Sequence, residues 1–218
     1  MNKLENFNQY ILDEYNKVSD ENLSCPLLVS SNIEYLNDLK RRILYIGQET
    51  NCWINYDDGS IKYSRQHIED TYFNFLKSGA RNRDFWMFIR RVLDINQDEL
   101  INNVIWNNTL IAGKRTEIGH PSNVDNISDL SLKYLLFLYE YFEPEYTIFV
   151  NGPKNPYYKI TIEFLKKVKS NLVEYWPTPS NNLLFDDKNK IFWTYHPAYQ
   201  KRLNKHNEII SNISNIIK

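Results

Sequence analysis

Cysteine is scarce in this chain. Cys25 and Cys52 are the only two, too few to build a four-thiolate zinc or iron–sulfur site from its own thiols. Cys52 stands beside a polar stretch at 47–51, but no base neighbours it in sequence, so a small packed thiol is a simpler reading than a nucleophile. Positive charge is not in excess either. Lys and Arg number 26 against 27 Asp and Glu, a net −1, which argues against the broad basic footprint of non-specific DNA binding and leaves room for a local basic rim. No apolar run approaches bilayer length and the N-terminal residues are polar, so neither a membrane span nor a signal segment is expected, and the chain is read as cytoplasmic or nuclear. Internal repeats are missing, as is any linker long enough to divide the sequence.

What is present is ample core. With 218 residues, 42% of them hydrophobic and 24% charged, residues 1–218 read as one globular domain. Aromatics reach 15%, including 16 Tyr and 5 Trp, which suits either a heavily packed interior or surfaces that stack on flat ligands. The many asparagines look like compositional bias, so a single Asn carries little weight.

Short apolar runs alternate with helical stretches. Leu4, Phe7, Ile11, Tyr15 and Val18 form one helical stripe over 3–18, ahead of a first strand at 42–46. After a loop at 51–60, Ile68, Tyr72, Phe75 and Leu76 share a helical face, which Gly79-Ala80-Arg81-Asn82 interrupts. Asp84 reads as the N-cap of a helix carrying Phe85, Phe88, Ile89 and Val92. A second strand at 103–110 leads into a loop at 112–126, and a helix runs from about Ser128 to Phe142. The third strand is 146–150. Asn155-Pro156 pairs a capping residue with a proline suited to a first helical position, opening a helix to about Ser170. Residues 172–176 are a short strand candidate. Runs at 183–185 and 190–195 flank Asp186-Asp187-Lys188-Asn189, a turn signal that suggests a hairpin. Ile209, Ile213 and Ile216, with Ile210 and Ile217 beside them, mark a C-terminal helix.

Four of these apolar runs end in polar clusters: Gly47-Gln48-Glu49-Thr50-Asn51, Asn107-Asn108-Thr109, Asn151-Gly152-Pro153 and Tyr195-His196-Pro197-Ala198-Tyr199. Continuous apolar strands separated by helices describe a parallel sheet covered on both faces, and ligands of such sheets lie beyond the carboxyl ends of the strands. Amides, a carboxylate and a histidine therefore collect on one rim. That is the layout of a site.

These residues carry a resemblance. Gly47-Gln48-Glu49-Thr50-Asn51 resembles the first motif of the uracil-DNA glycosylase superfamily, one common form of which reads glycine-glutamine-aspartate-proline-tyrosine. Asn108-Thr109-Leu110, followed by Gly113-Lys114-Arg115, is similar to the second-strand asparagine segment of that superfamily. Thr194-Tyr195-His196-Pro197-Ala198-Tyr199 resembles its final motif, especially as written in the iron–sulfur branch. Order and strand-end placement match over residues 42–200. The resemblance implies a three-layer α/β/α fold with a central four-stranded, mainly parallel sheet in the order 2-1-3-4. It implies a monomeric hydrolase of base-excision DNA repair that cleaves the N-glycosidic bond of uracil or a related damaged base in DNA. Glu49 would be the catalytic carboxylate, with Gln48 adding backbone or amide contacts, Asn108 reading the base and His196 stabilising the leaving group. Asn51, Trp53 and Asn151 would line the base pocket, and Lys114, Arg115, Tyr199 and Lys201 would meet the DNA. No cofactor and no metal cluster are expected, since the cysteines of the iron–sulfur branch are absent.

The chemistry agrees with that assignment. Base release passes through an oxocarbenium-like state that a nearby carboxylate stabilises, while the departing base takes negative charge that a histidine N–H can receive. An asparagine amide fits the uracil edge, donating to a carbonyl and accepting the ring N–H. Turned by half a rotation it would match cytosine instead, so it must be held, with a backbone group after Thr109 as the expected holder. The base must also leave the stack before it can be cut. Two departures stand out. Glu49 replaces aspartate and adds a methylene, a displacement of roughly an ångström that costs about a hundredfold in rate if uncompensated. Asn51 stands where the motif often has tyrosine, so Trp53 or Tyr56 would have to shield the base.

Each residue also has a plainer use: Glu49 as a cap, His196 as a turn residue before Pro197, Asn107, Asn108 and Asn151 as strand-end turns, and Lys114-Arg115 and Lys201-Arg202 as solvated charge. Two other functions therefore stay open. One is a catalytically silent module that holds a base, nucleotide or nucleic-acid end; the other is action on free nucleosides or nucleotide derivatives.

Overall fold

The computed structural model describes residues 2–19, 22–50, 53–54, 63–79, 83–117, 119–122 and 124–218. Strands β1 (Ile43–Gly47) and β2 (Val104–Asn108) are buried at every residue, as strands covered on both faces must be. With β3 (Tyr146–Phe149), β4 (Leu183–Asp186) and β5 (Ile191–Thr194) they form one sheet in the order β2-β1-β3-β5-β4. The first four of these neighbours run parallel, and β4 pairs antiparallel with β5. The sheet thus has five strands where four were expected. The addition is the first arm of the hairpin, joined by a turn in which Asp186 Oδ1 accepts from the backbone N–H groups of Lys188 and Asn189 at 3.0 and 3.2 Å.

Eight α-helices surround the sheet among the described residues: α1 (Lys3–Val18), α2 (Ile33–Asp38), α3 (Arg65–Asn74), α4 (Asp84–Leu93), α5 (Val124–Phe142), α6 (Tyr157–Lys167), α7 (Pro197–Arg202) and α8 (His206–Ile217). They pack on both faces. Tyr45 meets Phe85, Trp86 and Phe88 of α4, whereas Phe149, in register with Ile46 on the opposite face, meets Phe164 of α6 at 5.2 Å between ring centroids. Helices α4, α7 and α8 contact one another on the first face, and α5 joins α1 to α6 on the second. No described helix is long and apolar enough to cross a membrane.

Several local expectations are corrected. Asn171–Glu174 is a 3-10 turn rather than a strand, because the Ser170 hydroxyl caps the Leu172 N–H at 3.2 Å and starts a helical turn there. Arg83, not Asp84, precedes the first residue of α4, and the Asp84 carboxylate is engaged by Lys201 instead of the helix N–H groups. Pro156 sits at the cap position of α6, with Tyr157 as its first helical residue. In α8 the buried isoleucines are Ile209, Ile210, Ile213 and Ile217, and Ile216 faces outward.

The edge strand β2 is guarded by side chains. Tyr72 Oη accepts from Trp106 N at 2.9 Å and donates to Trp106 O at 3.1 Å, Tyr35 Oη donates to Val104 O at 3.3 Å, and Asn107 Oδ1 accepts from Asn108 N at 2.7 Å. Beyond β2 the chain is held by a second extended segment: Leu27 N donates to Ile111 O at 2.7 Å, Ser24 N to Gly113 O at 3.0 Å and Arg115 N to Asn22 O at 2.8 Å.

Candidate active site

Gly47 and Asn108 end β1 and β2 as in-register partners, so their side-chain positions lie side by side on the α4 face. Gly47 has no side chain, and Asn108 fills that space: a Cβ on Gly47 would stand 2.4 Å from Asn108 Oδ1 and 2.9 Å from the Phe85 ring. Asn108 is buried, and its Nδ2 has no hydrogen-bond partner among the described residues. Burying an amide without a partner is unfavourable, by about 1–3 kcal/mol for such a group; Asn107 Nδ2, Trp53 Nε1 and Trp106 Nε1 share that condition, and Asn108 is set apart by its place at the strand-end rim. The expected backbone holder after Thr109 is not what fixes this amide. Its Oδ1 occupies the space a side chain on Gly47 would take, while Thr109 Oγ1 donates to Gly47 O at 2.8 Å and ties the two strand ends together.

His196 follows β5 and caps α7, its Nδ1 accepting from Ala198 N at 3.3 Å. An accepting Nδ1 places the proton of a neutral ring on Nε2. Burial pushes the imidazole below its ordinary pKa, Arg202 adds to that, and Asp84 opposes it, so the ring is neutral at pH 7. It lies nearly parallel to Phe85, with ring centroids 6.1 Å apart. Behind it, Gln200 is fully buried; its Nε2 donates to Tyr195 O at 2.7 Å, and its Oε1 accepts from His206 Nδ1 at 3.1 Å.

Glu49 is half-buried just past β1, and Tyr157 of α6 donates its hydroxyl to Glu49 Oε2. Burial raises the carboxyl above its ordinary pKa, while the Tyr157 hydrogen bond, His120 and Lys154 pull it back. The Tyr157 phenol is raised, by burial first and by the Glu49 charge second, and stays protonated as a donor. The His120 ring meets that of Tyr157 edge-on at 6.3 Å. The loop carrying Glu49 is braced by Gly113, where a Cβ would fall 1.8 Å from Thr50 O. Ser24 completes the brace, its Oγ accepting from Gly113 N at 3.1 Å and lying 3.2 Å from Thr50 Oγ1.

The remaining expected residues separate. Gln48 Nε2 donates to Asn151 O at 3.1 Å, tying β1 to the end of β3. Asn151 is itself fully engaged inside the fold: Nδ2 donates to Thr109 Oγ1 and Thr161 Oγ1, each at 2.7 Å, and Oδ1 accepts from Trp193 Nε1 at 2.9 Å. It is a brace between strands, not an open base contact. Trp53 is likewise packed inward, edge-on to Trp106 at 5.4 Å and to Phe75 at 5.4 Å, so it does not shield a base at the rim. Asn51, with Cys52 and Tyr56, lies outside the described residues. Of the basic candidates, Lys114 pairs with Glu117 at 2.8 Å, Arg115 is half-buried beside it and Lys201 pairs with Asp84. Tyr199 is exposed on α7 against Tyr195, ring centroids 4.8 Å apart. A shallow groove of about 620 Å³ between α1 and α5, lined by Phe7, Tyr10 and Phe137, contains none of these residues.

Phe85 and Tyr157 escaped the sequence reading because both sit on amphipathic helices, where an aromatic reads as core. Position was the available signal: each stands in the first turn of a helix that packs against the rim. Comparison with known proteins gave no lead, since no protein-family model matches the chain and no curated protein or solved structure is detectably similar to it.

Proposed function

We propose that this chain is a base-releasing hydrolase of the uracil-DNA glycosylase type, acting on uracil or a related damaged base in DNA. The observation that carries the reading is the buried Asn108 amide at the end of β2, its Nδ2 without a partner among the described residues and its Oδ1 over Gly47. A pyrimidine seated there would take one donor and one acceptor from Asn108 and stack on the Phe85 ring. The neutral His196 offers its Nε2–H to the carbonyl oxygen that gains charge as the base departs, a role a cationic ring would fill less selectively at neutral pH. Glu49, once ionised, stabilises the cationic sugar and orients water. Support also comes from the adjacency β2-β1-β3-β5, which lets Glu49, Asn108 and His196 share the carboxyl-terminal rim.

The test is incubation of the protein with labelled single- and double-stranded oligonucleotides bearing uracil, hypoxanthine or a thymine mismatch, followed by alkaline scission of abasic sites. The expected result is strand breakage at uracil. Saturable binding without scission would replace the enzyme by a binding module, and release only from free nucleosides would move the substrate out of DNA.

A further inference from the structure

We propose that Tyr157 is the positioning residue of Glu49: its hydroxyl pins carboxylate Oε2 to the first turn of α6 and leaves Oε1 to face water and sugar. The inference deepens the hydrolase reading and rests on it for its catalytic meaning, though not for its geometry. Glutamate has one more rotatable bond than aspartate, so a carboxylate on this longer arm needs a fixed anchor to keep a productive position. The structure supplies one. Tyr157 is 4% exposed, its ring direction is set by the helix that also carries Thr161, and Thr161 Oγ1 accepts from Asn151 Nδ2 at 2.7 Å. The anchor and the strand ends therefore belong to one rigid unit, continuous from α6 through Asn151 to Thr109 and β1.

The same hydroxyl steadies the charge. A phenol that donates to a carboxylate favours its ionised form, and it does so here against the burial that disfavours it. Among the described residues, the other groups facing Glu49 are His120, from the loop after β2, and Lys154, from the segment before α6. Both are exposed, so water screens them more than it screens Tyr157. Tyr157 is thus the partner whose removal Glu49 should feel most.

The experiment compares the whole chain with Tyr157→Phe, which keeps the ring and deletes the hydroxyl. Carbon-detected NMR of the side-chain carboxyls should show the Glu49 midpoint moving upward in the variant. An unmoved midpoint overturns the inference, whatever the activity. In the unaltered chain, the Tyr157 ring carbon bearing oxygen should titrate with the same midpoint as Glu49, and a flat response there also overturns it, with no variant that has to fold. On uracil-containing oligonucleotide, Tyr157→Phe should lower kcat by about ten- to a hundredfold with KM little changed, and should move the acid limb of the profile to higher pH. If the parent cleaves no substrate while the carboxyl midpoint still shifts, the hydrolase reading fails and the positioning role stands.

Discussion

Glu69 and Glu49 are both withdrawn from water, and the fold surrounds them differently. Glu69, only 1% exposed on α3, accepts from Asn8 Nδ2 at 2.8 Å, from Ser31 N at 3.0 Å, from the Ser31 hydroxyl and from Arg65 Nη1 at 2.8 Å. Arg65 reaches on to Glu5 at 2.7 Å, and Asn8 is completed by Val29 O and the Tyr134 hydroxyl, each at 2.8 Å. Every polar group in that cluster has its partner, and the cluster locks α1, α3 and α5 to the segment between α1 and α2. Among the described residues Glu49 has one side-chain donor, Tyr157, and its carboxyl is raised by burial. The amides differ in the same way: Asn8 and Asn151 are saturated, whereas Asn107 and Asn108 each keep an Nδ2 without a partner among the described residues. On the proposed reading, the full pairing around Glu69 stabilises the fold, while Glu49 and Asn108 are left under-paired for a ligand at a cost to stability.

That contrast can be broken by substitution, and the largest effect belongs to the saturated side. Glu69→Ala leaves Arg65, Ser31 and Asn8 without their shared acceptor and should destabilise the chain by about 3–5 kcal/mol in urea unfolding, as expected when one partner of a buried pair is deleted. A loss below about 1 kcal/mol would mean that the network contributes little.

Glu49→Gln should reverse the pattern. Stability should change by less than about 1 kcal/mol, because the amide oxygen still accepts from Tyr157 and a poorly compensated charge is gone. Turnover on uracil-containing oligonucleotide should fall several-hundredfold, roughly 3–4 kcal/mol of transition-state stabilisation, with binding of the base nearly intact. Equal rates in parent and variant would remove Glu49 from the mechanism. Asn108→Ala should leave stability unchanged or slightly higher and narrow the preference for uracil over cytosine by about 1–3 kcal/mol, read from competitive cleavage or binding. If neither substrate is affected, the pocket is read by other groups.

The smallest effect is in pH. Glu49 titrates above its ordinary 4.5 in the folded chain, so its protonated form favours the native state; that contribution is full below 4.5 and is lost as pH rises through the raised value. His196 titrates below 6.5, so its neutral form favours the native state, and stability is lost as pH falls from 6.5 through the lowered value. Relative to the parent, Glu49→Gln should therefore gain stability as pH climbs above 4.5 and merge with it at lower pH, in thermal melts across a buffer series. On the hydrolase reading, activity would need Glu49 ionised and His196 neutral, so both groups would place their limb on the acid side.

Much of the sheet was legible because β1, β2, β3 and β5 are covered on both faces and so read as unbroken apolar runs. β4 was visible as half of a hairpin but not as a fifth member of the sheet, since its burial alternates as an edge strand's does. The segment carrying Ser24 and Leu27 has no periodicity to read: its hydrogen bonds go to Gly113 and Ile111, nearly ninety residues away. At the rim, Gly47, Asn108 and His196 stood out as polar interruptions at strand ends. Tyr157 did not, because a tyrosine in an apolar helix face looks the same whether its hydroxyl meets water or a carboxylate. Asn151 misled for the converse reason, as its residue type suggests an open contact that its three internal partners rule out.

The phenols along β2 have one more consequence. An outermost strand normally offers its unpaired backbone to any passing chain, the route by which sheets join into ribbons. Here Val104 O, both backbone groups of Trp106 and Asn108 N are already answered by Tyr35, Tyr72 and Asn107. An incoming strand would have to evict two tyrosines buried among Trp106 and Phe73 before making its first bond. Part of the chain's tyrosine wealth thus works as insulation. Most of this flank is shielded from within, without the lysines or prolines that usually discourage strand addition at the surface.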